Sequence, residues 1–87
     1  MDQMIITREA IDALDTQIMA LLEKRFELSK TIGKNKVLND KVIHDPIREQ
    51  SILKCAENYE NHPSIHAVYL TIFEESRALQ NEIRTAR

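Results

Sequence analysis

From Ile5 to Leu38 the chain has no proline, and its apolar residues Ile11, Leu14, Ile18, Leu21, Leu28 and Ile32 advance in helical steps along one face. Glu23, Lys24 and Glu27 fall on the outward side, and Asp2 or Thr7 can open the helix. Gly33 costs about 1 kcal/mol relative to Ala, yet the pattern continues past it, so one unbroken helix is expected. Its 34 residues would span ~50 Å. A compact chain of 87 residues has a radius of gyration of only ~12 Å and a diameter near ~30 Å. Two short helices cannot cover so long a seam. The remainder calls for a second molecule, most simply a symmetric copy whose own long helix runs antiparallel. The expected architecture is all-α, with three helices per chain in an intertwined homodimer.

The rest of the chain agrees with that class. One glycine and two prolines leave little turn chemistry for a sheet. Residues Asn39 to His44 read as a loop, with Asp45 as N-cap and Pro46 opening a second helix to about Tyr59. Ile47, Ile52, Leu53 and Ala56 form its expected inner face. After a turn over Glu60 to Pro63, with Asn61 or His62 capping, a third helix runs to about Arg84 on the stripe Ile65, Val68, Tyr69, Ile72, Phe73, Leu79 and Ile83. The whole of 1–87 reads as a single domain. The lone Cys55 has no disulfide partner within the chain and reads as a small buried filler. A net charge of −2 with interleaved signs argues against a nucleic-acid surface, and no apolar run suits a membrane span. A cytoplasmic location is expected. His44, His62 and His66 lack a third ligand at metal-binding spacing, so no metal site is expected.

One residue conflicts with the apolar seam. Arg25 occupies the slot between Leu21 and Leu28, where a core expects Leu. A guanidinium there needs an anion, either a protein carboxylate or a ligand. Arg8 is 17 residues away, hence ~25 Å along the axis, too far to share a small ligand from the same helix. Antiparallel pairing removes that difficulty by bringing Arg8 of one chain beside the far half of the other. Lys36 returns to nearly the same face as Arg25, ~16 Å further on. On the second helix Asp45, Arg48 and Glu49 share a face, as do Ser76 and Gln80 on the third. Singly, each has an ordinary reading: Asp45 as a cap, Arg8, Lys36 and Arg48 as solvated surface, Glu49 in an intrahelical pair, Ser76 and Gln80 on an exposed face.

As an ordered set these residues resemble the all-helical, homodimeric chorismate mutases over nearly the full chain. The resemblance rests on Thr7-Arg8-Glu9 with Ile11-Asp12-Ala13-Leu14-Asp15, then Leu21-Leu22-Glu23-Lys24-Arg25 and Ile32-Gly33-Lys34-Asn35-Lys36. It continues through Val42-Ile43-His44-Asp45-Pro46-Ile47-Arg48-Glu49 and Glu75-Ser76-Arg77-Ala78-Leu79-Gln80. It implies an isomerase of aromatic amino-acid biosynthesis that turns chorismate into prephenate by an intramolecular Claisen rearrangement, with no cofactor. Each of two sites would be shared between chains. Arg25 and the other chain's Arg8 would grip the two carboxylates, with Ser76 assisting. Lys36 and Gln80 would donate to the ether oxygen. Glu49 would accept the ring hydroxyl near the Asp45 backbone, Arg48 would orient Glu49, and Ile32 would line the pocket.

Two rivals stay open at this point. An isochorismate pyruvate lyase shares the implied fold but tends to lack the acidic pair, so Asp45 and Glu49 favour the mutase. A helical dimerisation module without catalysis is the other. The start at Met1 and the lack of a linker favour a stand-alone chain over a mutase domain fused to a dehydratase, a dehydrogenase or a synthase.

Overall fold

Apolar periodicity, an Asp-Pro cap and one Pro-punctuated turn produce three helices in the computed structural model, which describes residues 2–39 and 45–85, with side chains over 2–35 and 45–83. Helix α1 runs over Gln3–Asn39, α2 over Pro46–Cys55 and α3 over His62–Thr85. Gly33 leaves α1 unbroken, as expected. The expected loop residues 40–44, His44 among them, lie outside the described residues, as does the Lys36 side chain.

Helix α3 runs beside the C-terminal half of α1 in the same direction. Ile18 and Leu21 lie near Ile65 and Val68, Arg25 meets Ser76, and Gly33 meets Gln80. The face that α1 turns to α3 is Leu22, Phe26, Ser29 and Gly33, all buried or half-buried. That face lies about one residue around from the apolar seam. The seam itself is left open: Ile11, Leu14, Ile18, Leu21 and Leu28 are each at least half exposed, and every residue from Asp2 to Leu21 is exposed. The molecule measures 58 × 26 × 13 Å, with a radius of gyration of 16.5 Å. Its smallest dimension is about one helix diameter, so the chain forms a single layer where a core normally needs two. Among the described residues the buried apolar set is Leu53, Ala56, Ile72 and Phe73.

Several local expectations need correction. Helix α2 ends at Cys55, where a single 3-10 turn over Ala56–Asn58 tightens the chain before Tyr59 becomes extended. Cys55 is exposed, because a residue two positions from buried Leu53 lies ~200° around the helix. Ile47 points away from the core by the same reasoning and is 82% exposed. Val68 is exposed because it borders a groove, with Ile18 and Leu21, that no described residue covers.

Gly33 has a packing reason. A Cβ built there would lie 3.0 Å from the Cα of Gln80 and 3.3 Å from its carbonyl oxygen. Backbone atoms cannot rotate aside. Gly33→Ala gains ~1 kcal/mol of helix propensity but incurs ~1–3 kcal/mol of overpacking. Urea unfolding should show it net destabilised by about 1 kcal/mol, whereas Lys34→Ala, on the exposed side, stays near neutral.

Candidate active site

The entry of α2 fixes the first part of the site. The Asp45 carboxylate accepts the Arg48 N–H at 3.1 Å, the Asp45 carbonyl accepts the Glu49 N–H at 3.1 Å, and Pro46 takes the first helical position. This is an N-cap that satisfies otherwise orphaned donors. Helix α2 packs on α3 and makes no close backbone approach to α1 among the described residues. The gap so left is a cavity of about 340 Å³.

Three helices furnish its walls. Arg25, Leu28, Ser29 and Ile32 come from α1, Asp45, Arg48, Glu49 and Ile52 from the start of α2, and Phe73, Ser76, Arg77 and Gln80 from α3. Seven residues expected from the sequence thus converge: Arg25, Ile32, Asp45, Arg48, Glu49, Ser76 and Gln80. Arg8 does not. It is exposed and lies ~25 Å up α1 from Arg25.

Arg25 is half-buried, and its Nη1 donates to the Ser76 hydroxyl at 2.8 Å. Its guanidinium carbon lies 5.9 Å from the Tyr69 ring centre and 5.7 Å from that of Phe73. These rings are themselves packed edge to face, 5.7 Å apart. Ser29 donates back to the Arg25 carbonyl at 3.1 Å, a bond that closes within the helix. No carboxylate among the described residues lies within ion-pair range of Arg25 or Arg48. The seam cation is therefore held by a hydroxyl and two aromatic faces, none of which cancels its charge.

Gln80 is only 7% exposed, and its Oε1 has no hydrogen-bond partner among the described residues. A buried amide left unsatisfied costs about 1–3 kcal/mol, and rotation of the amide lets it offer a donor or an acceptor to whatever enters. The carboxylate of Glu49 is gripped by Arg77 from α3. The sequence reading missed Arg77 and Ser29. Arg77 sits in the run Glu74-Glu75-Ser76-Arg77, which looks like a solvated face, and only its position next to Ser76 hinted otherwise.

Among the described residues, the cavity thus carries three guanidinium groups against two carboxylates, one of which is occupied as a cap. Such a wall suits a small polar anion with more than one negative group. The chorismate mutase type II family profile matches residues 7–81. Similar curated proteins are the bifunctional chorismate mutase/prephenate dehydratases of Escherichia coli K12 and Shigella flexneri, each 34% identical over 68 residues. The match covers 78% of this chain but only 18% of theirs, so the chain spans less than a fifth of the length of these relatives. Because the matched stretch runs from Thr7 on the open end of α1 to just beyond Gln80, taking in every wall of the cavity, the chain belongs to the chorismate mutase type II family.

Proposed function

We propose that this chain converts chorismate into prephenate, in a homodimer whose two sites each draw on both subunits. The observation that carries the reading is Arg25, a cation facing the cavity with no carboxylate within ion-pair range among the described residues. In the rearrangement the ether C–O bond breaks as a new C–C bond forms within the same molecule. No proton has to leave or arrive, and no nucleophile is required. The protein's work is to hold the dianion in its folded conformer and to stabilise charge that develops on the ether oxygen.

Arg25 grips one carboxylate, assisted by Ser76, and the partner subunit's Arg8 grips the other. Lys36 and the Gln80 amide N–H donate to the ether oxygen, and the place of Gln80 in the cavity wall supports its part in that role. Glu49 accepts the ring hydroxyl beside the Asp45 backbone. Arg48 adds positive field at the mouth, and Ile32 supplies apolar wall. Only contacts that strengthen in the transition state raise turnover, which puts Lys36 and Gln80 first in their effect on kcat.

The dimer is supported by what the single chain leaves uncovered. A helical half in which every residue from Asp2 to Leu21 is exposed, with only Ile18 and Leu21 near α3 among the described residues, has little packing to stabilise it. A second copy laid antiparallel along the Ile11, Leu14, Ile18 and Leu21 seam supplies the missing layer. A two-fold axis near Ile18, midway between Arg8 and Leu28, sets the second Arg8 beside the cavity that Leu28 borders.

Purified protein should consume chorismate and release prephenate. Lys36→Ala should lower kcat by about 10³-fold, the equivalent of one cation at 4 Å in an effective dielectric of 20, with KM changing less. Pyruvate from isochorismate, without prephenate from chorismate, would instead identify a lyase and end this reading.

A further inference from the structure

Resting on the mutase reading, we infer that Arg77 is a positioning residue that makes Glu49 compatible with a doubly negative substrate. Glu49 and Arg77 line the same cavity from facing helices, α2 and α3, and their side chains are paired at 21% and 30% exposure. An acidic side chain in the wall of an anion site is a liability. A carboxylate a few ångströms from a bound dianion repels it, and partial burial weakens the solvent screening that would soften the repulsion. The Arg77 guanidinium offsets that charge and holds the carboxylate in place at the cavity wall.

The two other guanidinium groups do not replace it. Arg25 is engaged with Ser76 and the Tyr69 and Phe73 faces on the α1 side. Arg48 is exposed on α2 itself, where its own backbone N–H belongs to the Asp45 cap. Without Arg77 the described wall drops from one excess positive charge to none. Binding of a dianion should weaken uniformly in ground and transition states, which is an effect on KM rather than on kcat.

Steady-state kinetics on the full chain test this with Arg77→Ala, Glu49→Gln and the double variant. Arg77→Ala should raise KM for chorismate about tenfold while kcat falls by less than about threefold. Adding Glu49→Gln should then lower KM again, because the repelling charge is gone and the amide still accepts a hydrogen bond. A pair that only ties α2 to α3 is already broken by either single change, so it allows no such rescue. No rescue, or an unchanged KM in Arg77→Ala, overturns the inference while wild-type turnover of chorismate keeps the function standing. Wild-type protein that leaves chorismate untouched sinks both. Should Arg77→Ala fold poorly, Arg77→Lys and Arg77→Gln carry the test: Lys, which keeps the charge, should hold KM near wild type, and Gln, which keeps only the hydrogen bond, should not.

Discussion

Arg25→Ala should lower kcat/KM for chorismate by about 10³-fold, while circular dichroism and the thermal midpoint show a chain as helical and nearly as stable as wild type. The two halves of that expectation come from the same environment. On the binding side, Arg25 is a cation with no carboxylate in range among the described residues, so its field is available to an anion in the cavity. One such charge at 4 Å is worth about 4 kcal/mol at an effective dielectric of 20, which is a factor of about 10³. On the stability side, its hydrogen bond to Ser76 and its stacking on Tyr69 and Phe73 offset desolvation of a guanidinium in an apolar seam. The charged hydrogen bond contributes about 1.5–3 kcal/mol and each ring about 0.5–1, whereas partial burial of the charge costs several kcal/mol. The near-cancellation means that an alanine costs the fold little. Arg25→Lys keeps the charge but loses the planar fork, and should fall between the two. A variant that folds and turns over chorismate at the wild-type rate would remove Arg25 from the site, whereas wild-type protein that leaves chorismate untouched would return the chain to the class of helical dimerisation modules.

The fold was legible where a local rule decides the outcome. Asp45-Pro46 names a helix start whatever surrounds it, because capping is settled within four residues. The long α1 follows from uninterrupted periodicity, and one glycine is too small a penalty to end it. Errors appeared where the question was which side faces what. Ile47 and Cys55 look core-like as residue types, but the short α2 buries Leu53, the turn after it buries Ala56, and the helical angle carries the other two outward. In α1 the apolar seam is real, yet the chain's own α3 sits on the neighbouring face of Leu22, Phe26, Ser29 and Gly33. Periodicity reveals that a face is apolar. It does not say whether the cover comes from the same chain.

The site divides in the same way. A charge in an apolar slot is conspicuous along the sequence, so Arg25 is marked by its neighbours in the chain alone. Gln80 and Ser76 could be paired with each other by helical spacing, but their burial depends on α1 approaching through Gly33. Arg77 was invisible for a stronger reason. Its partner Glu49 is 28 residues earlier, and no periodic rule links α2 to α3 across the turn between them. Ion pairs between elements are products of tertiary placement, and a sequence shows their members as unrelated surface charges.

A mixture of two inactive variants should recover activity. Arg8→Ala and Arg25→Ala chains, each nearly inactive alone, should regain about a quarter of the wild-type rate when unfolded together and refolded in equal amounts. The number follows from the proposed symmetry. If a site takes Arg25 from one subunit and Arg8 from the other, half of the randomly assembled dimers are mixed, and each mixed dimer holds one site with both arginines and one with neither. The single chain makes a shared site the economical explanation for Arg8, which is exposed ~25 Å along α1 from a cavity it cannot reach. The same arrangement explains why the seam around Ile18 remains open on the isolated chain. Ile18→Glu, placing a charge where the two long helices would meet, should abolish both dimer and turnover in parallel by sedimentation and by chorismate consumption, since an unpaired carboxylate in an apolar interface costs several kcal/mol at each of two symmetric positions. Two variants that show no complementation after co-refolding, with Arg8→Ala fully active by itself, would place the whole site within one chain. The exposed half of α1 would then need another purpose.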